Sequence, residues 1–223
     1  MLTIYGSDLS GPAIKARLTA NFLGLDYTWR HLNLREREQK SEWFLKINPV
    51  GKVPAMDDDG FYLFESNAIC KYLCDKHGSS LYPKDTKARA LVDQWIDYAT
   101  LHIGANFIPV VFNRLFAPLR GLPVNDKAIT DGLEFLKQYF PVIENQLARH
   151  EYIVADEISL ADIVLMALLE PAEMARIDLS AYPKLTAWRA GLKKRSFYTS
   201  CYKEYGEMLK ASLKAGAQAP ATH

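Results

Sequence analysis

Tyr5-Gly-Ser-Asp-Leu-Ser-Gly-Pro-Ala-Ile-Lys15 is the stretch on which the fold turns. Leading into it, Leu2-Thr-Ile-Tyr5 is a β-branched and aromatic run that reads as a strand. Pro12 stands where a first helical turn should be, a place that tolerates a missing N–H and a fixed φ. From Ile14 the apolar residues recur at helical spacing, Ile14, Leu18 and Phe22, and Gly24 reads as the C-cap. Ser10 is therefore expected at a strand-to-helix junction, its hydroxyl beside a helix N-terminus. Such a junction collects unpaired N–H groups and partial positive charge, and it suits an anion. Ser is also an ordinary helix cap, so the position alone leaves both roles open. The side chain has no proton-transfer machinery of its own. It can donate one hydrogen bond to an anion that another molecule brings.

Working outward, Tyr27-Thr-Trp-Arg-His-Leu-Asn33 alternates apolar and polar residues, as a strand with one buried face does. Residues 34–40 are charged and lack an apolar period, so a loop is expected. Glu42-Trp-Phe-Leu-Lys46 suits a short helix stopped by Asn48-Pro49. Val53-Pro-Ala-Met56 and Phe61-Tyr-Leu-Phe64 read as two strands, and Asp57-Asp-Asp-Gly60 between them as a hairpin turn. Ser66 is the expected cap of a helix carrying Ile69, Cys70, Leu73 and Lys76. The order is strand, helix, strand, short helix, strand, strand, helix: a small α/β unit over residues 1–78.

Gly78-Ser-Ser-Leu-Tyr-Pro83 breaks the pattern, and 79–86 is the expected linker. Strand signals then nearly vanish, and 87–214 is expected to be all helical. Ala88 to Phe116 reads as one long helix kinked at Pro109. Asp126 to His150 reads as another, with Ile129, Leu133, Leu136, Phe140, Ile143 and Leu147 alternately four and three apart. Ser159 and Asp162 form a capping box, with Ile158 and Ile163 placed as a hydrophobic staple. The helix they open is apolar nearly all round, so it should be the buried centre of a bundle. Leu185–Lys194 and Phe197–Leu213 complete the bundle, and 215–223 reads as a frayed, flexible tail.

The 223 residues suffice for two modest domains. Lys and Arg total 27 against 26 Asp and Glu, so no basic field attracts nucleic acid. No apolar run approaches the ~20 residues of a membrane span, and the N-terminus lacks a signal-peptide pattern. Three cysteines, an odd number, fit reduced thiols and a cytoplasmic setting. Cys70 and Cys74 share a helix face, but two thiols make a poor metal site, and no metal is expected.

Ser10-Gly-Pro-Ala13 resembles the Cys-Gly-Pro-Cys loop of thioredoxin with both sulfurs removed. Such a loop cannot exchange dithiols, but it can hold another molecule's thiolate. Tyr5-Gly with Ser10, Asn48-Pro-Val-Gly-Lys-Val-Pro54, Phe64-Glu-Ser-Asn-Ala-Ile69 and Ser159-Leu-Ala-Asp162 occur in an order and spacing similar to those of the soluble glutathione transferases. The resemblance covers almost the whole chain. It implies a thioredoxin-like N-terminal domain, an all-helical C-terminal domain, and usually a homodimer. A Ser at the first junction is like the serine classes, theta, phi and their bacterial or fungal relatives.

The resemblance also implies roles. Ser10 is expected to stabilise the glutathione thiolate for attack on a small hydrophobic electrophile, with Ser7 as the fallback. The backbone of Val53, before a Pro54 expected to be cis, would pair with the tripeptide as an added strand along an exposed sheet edge. Ser66 would take the γ-glutamyl carboxylate and Glu65 its ammonium, while Lys40, Lys52 and Gln39 are candidates for the glycyl end. Leu9, Ile103, Phe107, Val111 and Phe112 are expected to line the electrophile pocket between the domains. Asp93 and Asp97 are candidates to reach a partner subunit's glutathione, and Asp162 is expected to be structural. The expected work is detoxification by conjugation. The alternative is a non-catalytic assembly module or ligand carrier, since residues 52–69 also resemble the N-terminal domain of the gamma subunit of a translation elongation factor.

Overall fold

A computed structural model of the chain describes residues 1–200 and 206–210. Strand β1 (Leu2–Gly6) leads into helix α1 (Gly11–Phe22), followed by β2 (Thr28–His31), a 3₁₀ turn (Glu38–Lys40) and the short α2 (Glu42–Leu45). Strands β3 (Ala55–Asp58) and β4 (Phe61–Phe64) and helix α3 (Ser66–Lys76) close this unit. The sheet order is β2-β1-β3-β4, with β1 and β2 parallel and the other pairs antiparallel. A parallel pair needs a crossover, and α1 supplies it. Asp58 faces Phe61, so Asp59-Gly60 is a two-residue hairpin loop. Both residues have positive φ, 52° and 91°, as a primed turn requires. The Gly60 N–H is tied back to Asp57 Oδ1 at 2.7 Å.

Two local expectations change. The strand after Val53-Pro54 is not a sheet edge, because β3 lies between β1 and β4. Only the approach to β3 can offer free backbone, and the Val53–Pro54 peptide there is cis. Ser66 is not the cap of α3 but its first residue; Glu65 occupies the cap, with φ 68° and ψ 110°.

The second unit is helical: α4 (Thr86–Asp97), α5 (Ala105–Val111), α6 (Ala117–Leu119), α7 (Asp126–Leu147), α8 (Leu160–Leu169), α9 (Pro183–Leu192) and α10 (Ser196–Thr199). The long first helix starts earlier than its apolar period suggests, because Asp85 caps it by accepting from the Lys87 and Ala88 N–H groups at 3.1 and 2.9 Å. It then widens into π turns at Tyr98–Gly104 and Phe112–Phe116, on either side of α5. Pro109 lies inside α5, where its missing N–H interrupts the α ladder. Helix α8 is buried on every face except at Leu168. Of the helix expected over Phe197–Leu213, α10 and helical residues 206–210 are seen. The rest of it, and the expected tail, lie outside the described residues.

One continuous core joins the two units, running from Ile4 and Leu18 through Ile69 and Leu73 to Ile103, Ile143 and Met166. A smaller cluster of Tyr5, Leu32, Phe44 and Ala55 packs separately, with Trp43 and Val53 against it. The stretch 79–86 is fastened rather than loose: Leu81 and Tyr82 are buried, and the Leu81 carbonyl accepts the Leu160 N–H at 2.8 Å. Among the described residues no helix is long and apolar enough to cross a membrane, and no group of three His, Cys, Asp or Glu is placed to hold a metal.

Candidate active site

The junction after β1 is built by backbone bonds. Ser10 N–H donates to the Ser7 carbonyl at 2.9 Å, and the Ser10 carbonyl accepts from Ala13 and Ile14 at 2.9 and 2.8 Å. Ser10 has extended dihedrals, φ −97° and ψ 107°, as an N-cap should, yet its hydroxyl makes no capping hydrogen bond. Pro12 has no N–H to offer. The start of α1 therefore presents two donors, the Ser10 hydroxyl and the Gly11 N–H. Ser7 is buried and does not reach the cavity, so Ser10 is the hydroxyl on offer.

Ser10 lines a cavity of about 430 Å³ between the two units. Its polar floor is Ser10, Lys15, Glu65, Ser66, Asn67 and Thr100. Its wall is apolar: Leu9, Phe107, Ile108, Val111, Phe116 and Leu168, with Val164 and Pro171 behind. Leu9, Phe107 and Val111 stand where the sequence put them. Ile103 and Phe112 do not. Ile103 is wholly buried in the core, and Phe112, whose ring lies under the Arg120 guanidinium, is not among the lining residues. The lining face of the long helix runs through Thr100, Gly104, Phe107, Ile108 and Val111, which places Gly104 rather than Ile103 at the cavity.

The start of α3 forms the second pole. No hydrogen bond among the described residues engages the Ser66, Asn67 or Ala68 N–H, and Ile69 is the first to close the helix, onto the Glu65 carbonyl at 3.0 Å. Three N–H groups and the Ser66 hydroxyl thus face one region at the positive end of an eleven-residue helix. Glu65 is a non-glycine residue held at positive φ, an uncommon and costly conformation that clusters at ligand sites.

Gln39, Lys40, Lys52, Val53 and Pro54 are grouped elsewhere, outside the cavity wall. Lys40 Nζ donates to the Val50 carbonyl at 3.0 Å and crowds Gly51, where a Cβ would stand 2.7 Å from it. The Gln39 carbonyl oxygen would stand 2.9 Å from the same Cβ, and Gly51 has φ 60°, so backbone contact and conformation both disfavour a larger residue. Asn48 braces the loop, donating to the Lys52 carbonyl at 2.6 Å and accepting the Val50 N–H at 3.0 Å. Gln39 Oε1 is buried with no hydrogen-bond partner among the described residues. The Val53 N–H and C=O are engaged by no hydrogen bond among the described residues. Asp93 is committed within the chain, to Lys71 at 2.6 Å and the Tyr82 hydroxyl at 3.1 Å, whereas Asp97 is exposed.

Sequence reasoning missed Lys15, Asn67 and Thr100. Lys15 is 7% exposed, its Nζ donates to Asn67 Oδ1, and burial pushes its pKa below the ordinary lysine value.

Comparison with known proteins gives a consistent picture. Residues 4–81 match the family described as glutathione S-transferase, N-terminal domain, and residues 107–195 match glutathione S-transferase, C-terminal domain. Glutathione S-transferase 1 of Zea mays is 34% identical over 197 residues, covering 87% of this chain and 92% of its own. Glutathione S-transferase D6 of Drosophila melanogaster is 32% identical, covering 84% and 86%. A solved structure of the maize glutathione S-transferase I, in complex with an atrazine glutathione conjugate, superposes with a TM-score of 0.84 at 31% identity, covering 95% of this chain and 99% of that one.

Proposed function

The chain belongs to the glutathione S-transferase family, and we propose that it is a serine-type, phi-like enzyme that uses the Ser10 hydroxyl to activate the thiol of glutathione for attack on a small hydrophobic electrophile. One observation carries the reading: Ser10, whose hydroxyl makes no hydrogen bond among the described residues, lines the same cavity as the start of α3 and an apolar wall. A capping serine would have spent that hydroxyl on its own helix.

The chemistry follows from what each pole can do. Free thiols titrate near pH 8.5, and only the thiolate attacks. The Ser10 O–H and Gly11 N–H donate to negative sulfur at the positive end of α1, favouring the ionised form. A charge-assisted hydrogen bond contributes roughly 1.5–3 kcal/mol. Each pKa unit corresponds to ~1.4 kcal/mol, so one such bond makes thiolate abundant at neutral pH. At α3 the three N–H groups and Ser66 suit the γ-glutamyl carboxylate, with Glu65 placed for its ammonium. The open Val53 backbone suits pairing with the tripeptide. Lys40, Lys52 and Gln39, gathered around the 48–53 loop, suit the glycyl carboxylate. The wall from Leu9 to Leu168 carries no charge, so it selects an uncharged, apolar electrophile and keeps water from the sulfur. We place the protein in the cytoplasm as a homodimer working in detoxification.

The test is calorimetric titration with glutathione alongside the ultraviolet thiolate absorbance of the complex, on the wild type and Ser10→Ala. The expected result is binding with thiolate formation at neutral pH, and a bound-thiol pKa about one to two units higher in the mutant. Equal pKa values would remove Ser10 from the mechanism. No binding at all would return the protein to the assembly-module reading.

A further inference from the structure

Lys15 is the one buried lysine among the described residues. It occupies α1 between Ile14 and Ala16, among side chains that form the core, yet it also lines the cavity floor. No carboxylate lies within ion-pair distance of it among the described residues, and its one hydrogen bond is to Asn67 Oδ1. An ammonium buried without a counter-charge is costly. The titratable groups that act on it are Glu65, Cys70 and Lys71: the first two favour its charge, and Lys71 and burial oppose it. The fold nevertheless holds this side chain in a defined place. Asn67 Nδ2 donates to Thr100 Oγ1 at 3.2 Å, and Thr100 donates in turn to the Ile96 carbonyl at 2.8 Å. That chain of bonds aims the Asn67 carbonyl oxygen at Lys15 and spans both units of the molecule.

A buried charge with an acceptor, no carboxylate in ion-pair contact among the described residues and an open cavity beside it is completed by an anion entering that cavity. The α3 pole already has three N–H groups and a hydroxyl for a carboxylate. The pole at Ser10 has two donors for a sulfur anion. Lys15 stands five residues beyond Ser10 along α1 and lines the same cavity. We infer that Lys15 supplies the buried counter-charge for the glutathione thiolate, with Asn67 and Thr100 as positioning residues for its ammonium. This rests on the glutathione reading above. Lys15 acts through its field, in parallel with the Ser10 hydrogen bond, and the bound anion in turn raises the proton affinity of the Lys15 amine.

The experiment is the ultraviolet titration of bound glutathione in the wild type, Lys15→Met and Lys15→Arg, with kcat and KM for glutathione measured on each. Lys15→Met keeps the length and removes the charge. Its bound-thiol pKa should rise by about one unit, which at neutral pH leaves several-fold less thiolate. The kcat at neutral pH should fall by a similar factor while KM for glutathione changes much less. Lys15→Arg should return most of the shift. A bound-thiol pKa unchanged in Lys15→Met overturns the inference and leaves the Ser10 mechanism standing. A wild-type complex whose thiol titrates like free glutathione overturns both. If circular dichroism shows that Lys15→Met does not fold, Asn67→Ala replaces it. Freeing the ammonium there should raise the same pKa by a smaller amount, and no rise overturns the inference.

Discussion

Ser10 and Asp162 both stand at helix starts, and their surroundings give them opposite work. The Asp162 side chain is fully buried and accepts four hydrogen bonds: from the Ile153 N–H, the Ser159 N–H, the Ser159 hydroxyl and the Trp188 indole, all between 2.8 and 2.9 Å. Burial pushes its pKa up, and the four donors oppose that push. Asp162→Ala leaves buried donors unpaired and removes half of a capping box. Each orphaned donor costs about 1–3 kcal/mol, so the total loss should be about 3 kcal/mol or more. Thermal denaturation should show a large drop in Tm, while the protein that stays folded keeps its bound-thiol pKa. Ser10→Ala should behave in reverse. Its hydroxyl caps nothing, so the stability change should stay within about 0.5 kcal/mol while the thiol pKa moves. Asp162 was legible in the sequence because capping is local: both partners sit three residues apart. Lys15 was not, because its meaning depends on Asn67, distant in sequence and brought close only by packing of α1 on α3.

Helix α3 carries the anion pole, and its placement is set by a tie to the sheet. Asp58 at the end of β3 accepts from Lys76 and from the Tyr72 hydroxyl, the latter at 2.7 Å, and Lys71 reaches across to Asp93 on α4. The Lys76 and Tyr72 hydrogen bonds hold the Asp58 carboxyl below the usual aspartate range. A folded pKa below the unfolded value of about 3.9 means the tie stabilises the protein above that pH. The contribution is lost as pH falls further, through the folded pKa. Asp58→Asn should therefore lower Tm at pH 6, and the gap to the wild type should close as both are taken below about pH 4; a gap of constant size would show that the tie is not ionic. The hairpin that ends in this tie was readable from Asp57-Asp-Asp-Gly60, since turn chemistry is local. The π turns flanking α5 were not. Residue spacing assumes 3.6 residues per turn, and a widened turn shifts the face by part of a turn. That shift separates Gly104 at the cavity from Ile103 in the core.

For the whole molecule, the question is whether two units legible as separate patterns behave as two bodies. The change from α/β to all-helical patterning at residues 79–86 is plain in the sequence, but what crosses the junction is not. Helix α8, buried nearly all round, packs against both α1 and α4, and the main core cluster draws on both units without a break. Polar links cross as well: Asn67 to Thr100, Lys71 to Asp93, and the Leu160 N–H to the Leu81 carbonyl. A polypeptide of residues 1–78 alone would leave Ile14, Leu18, Ile69 and Leu73 without α8 and with apolar area in water, at about 25 cal/mol per Å² exposed. It should therefore fail to fold stably, judged by amide dispersion in a proton–nitrogen spectrum. The intact chain should melt in one calorimetric transition, with calorimetric and van't Hoff enthalpies in agreement. Two resolved transitions, or a well-dispersed spectrum from 1–78, would show that the units are independent. The active site depends on the first outcome. Ser10 and the α3 pole come from one unit and the apolar wall mostly from the other, so a chain that opened at the junction would keep its sulfur donors and lose the surface that dries them.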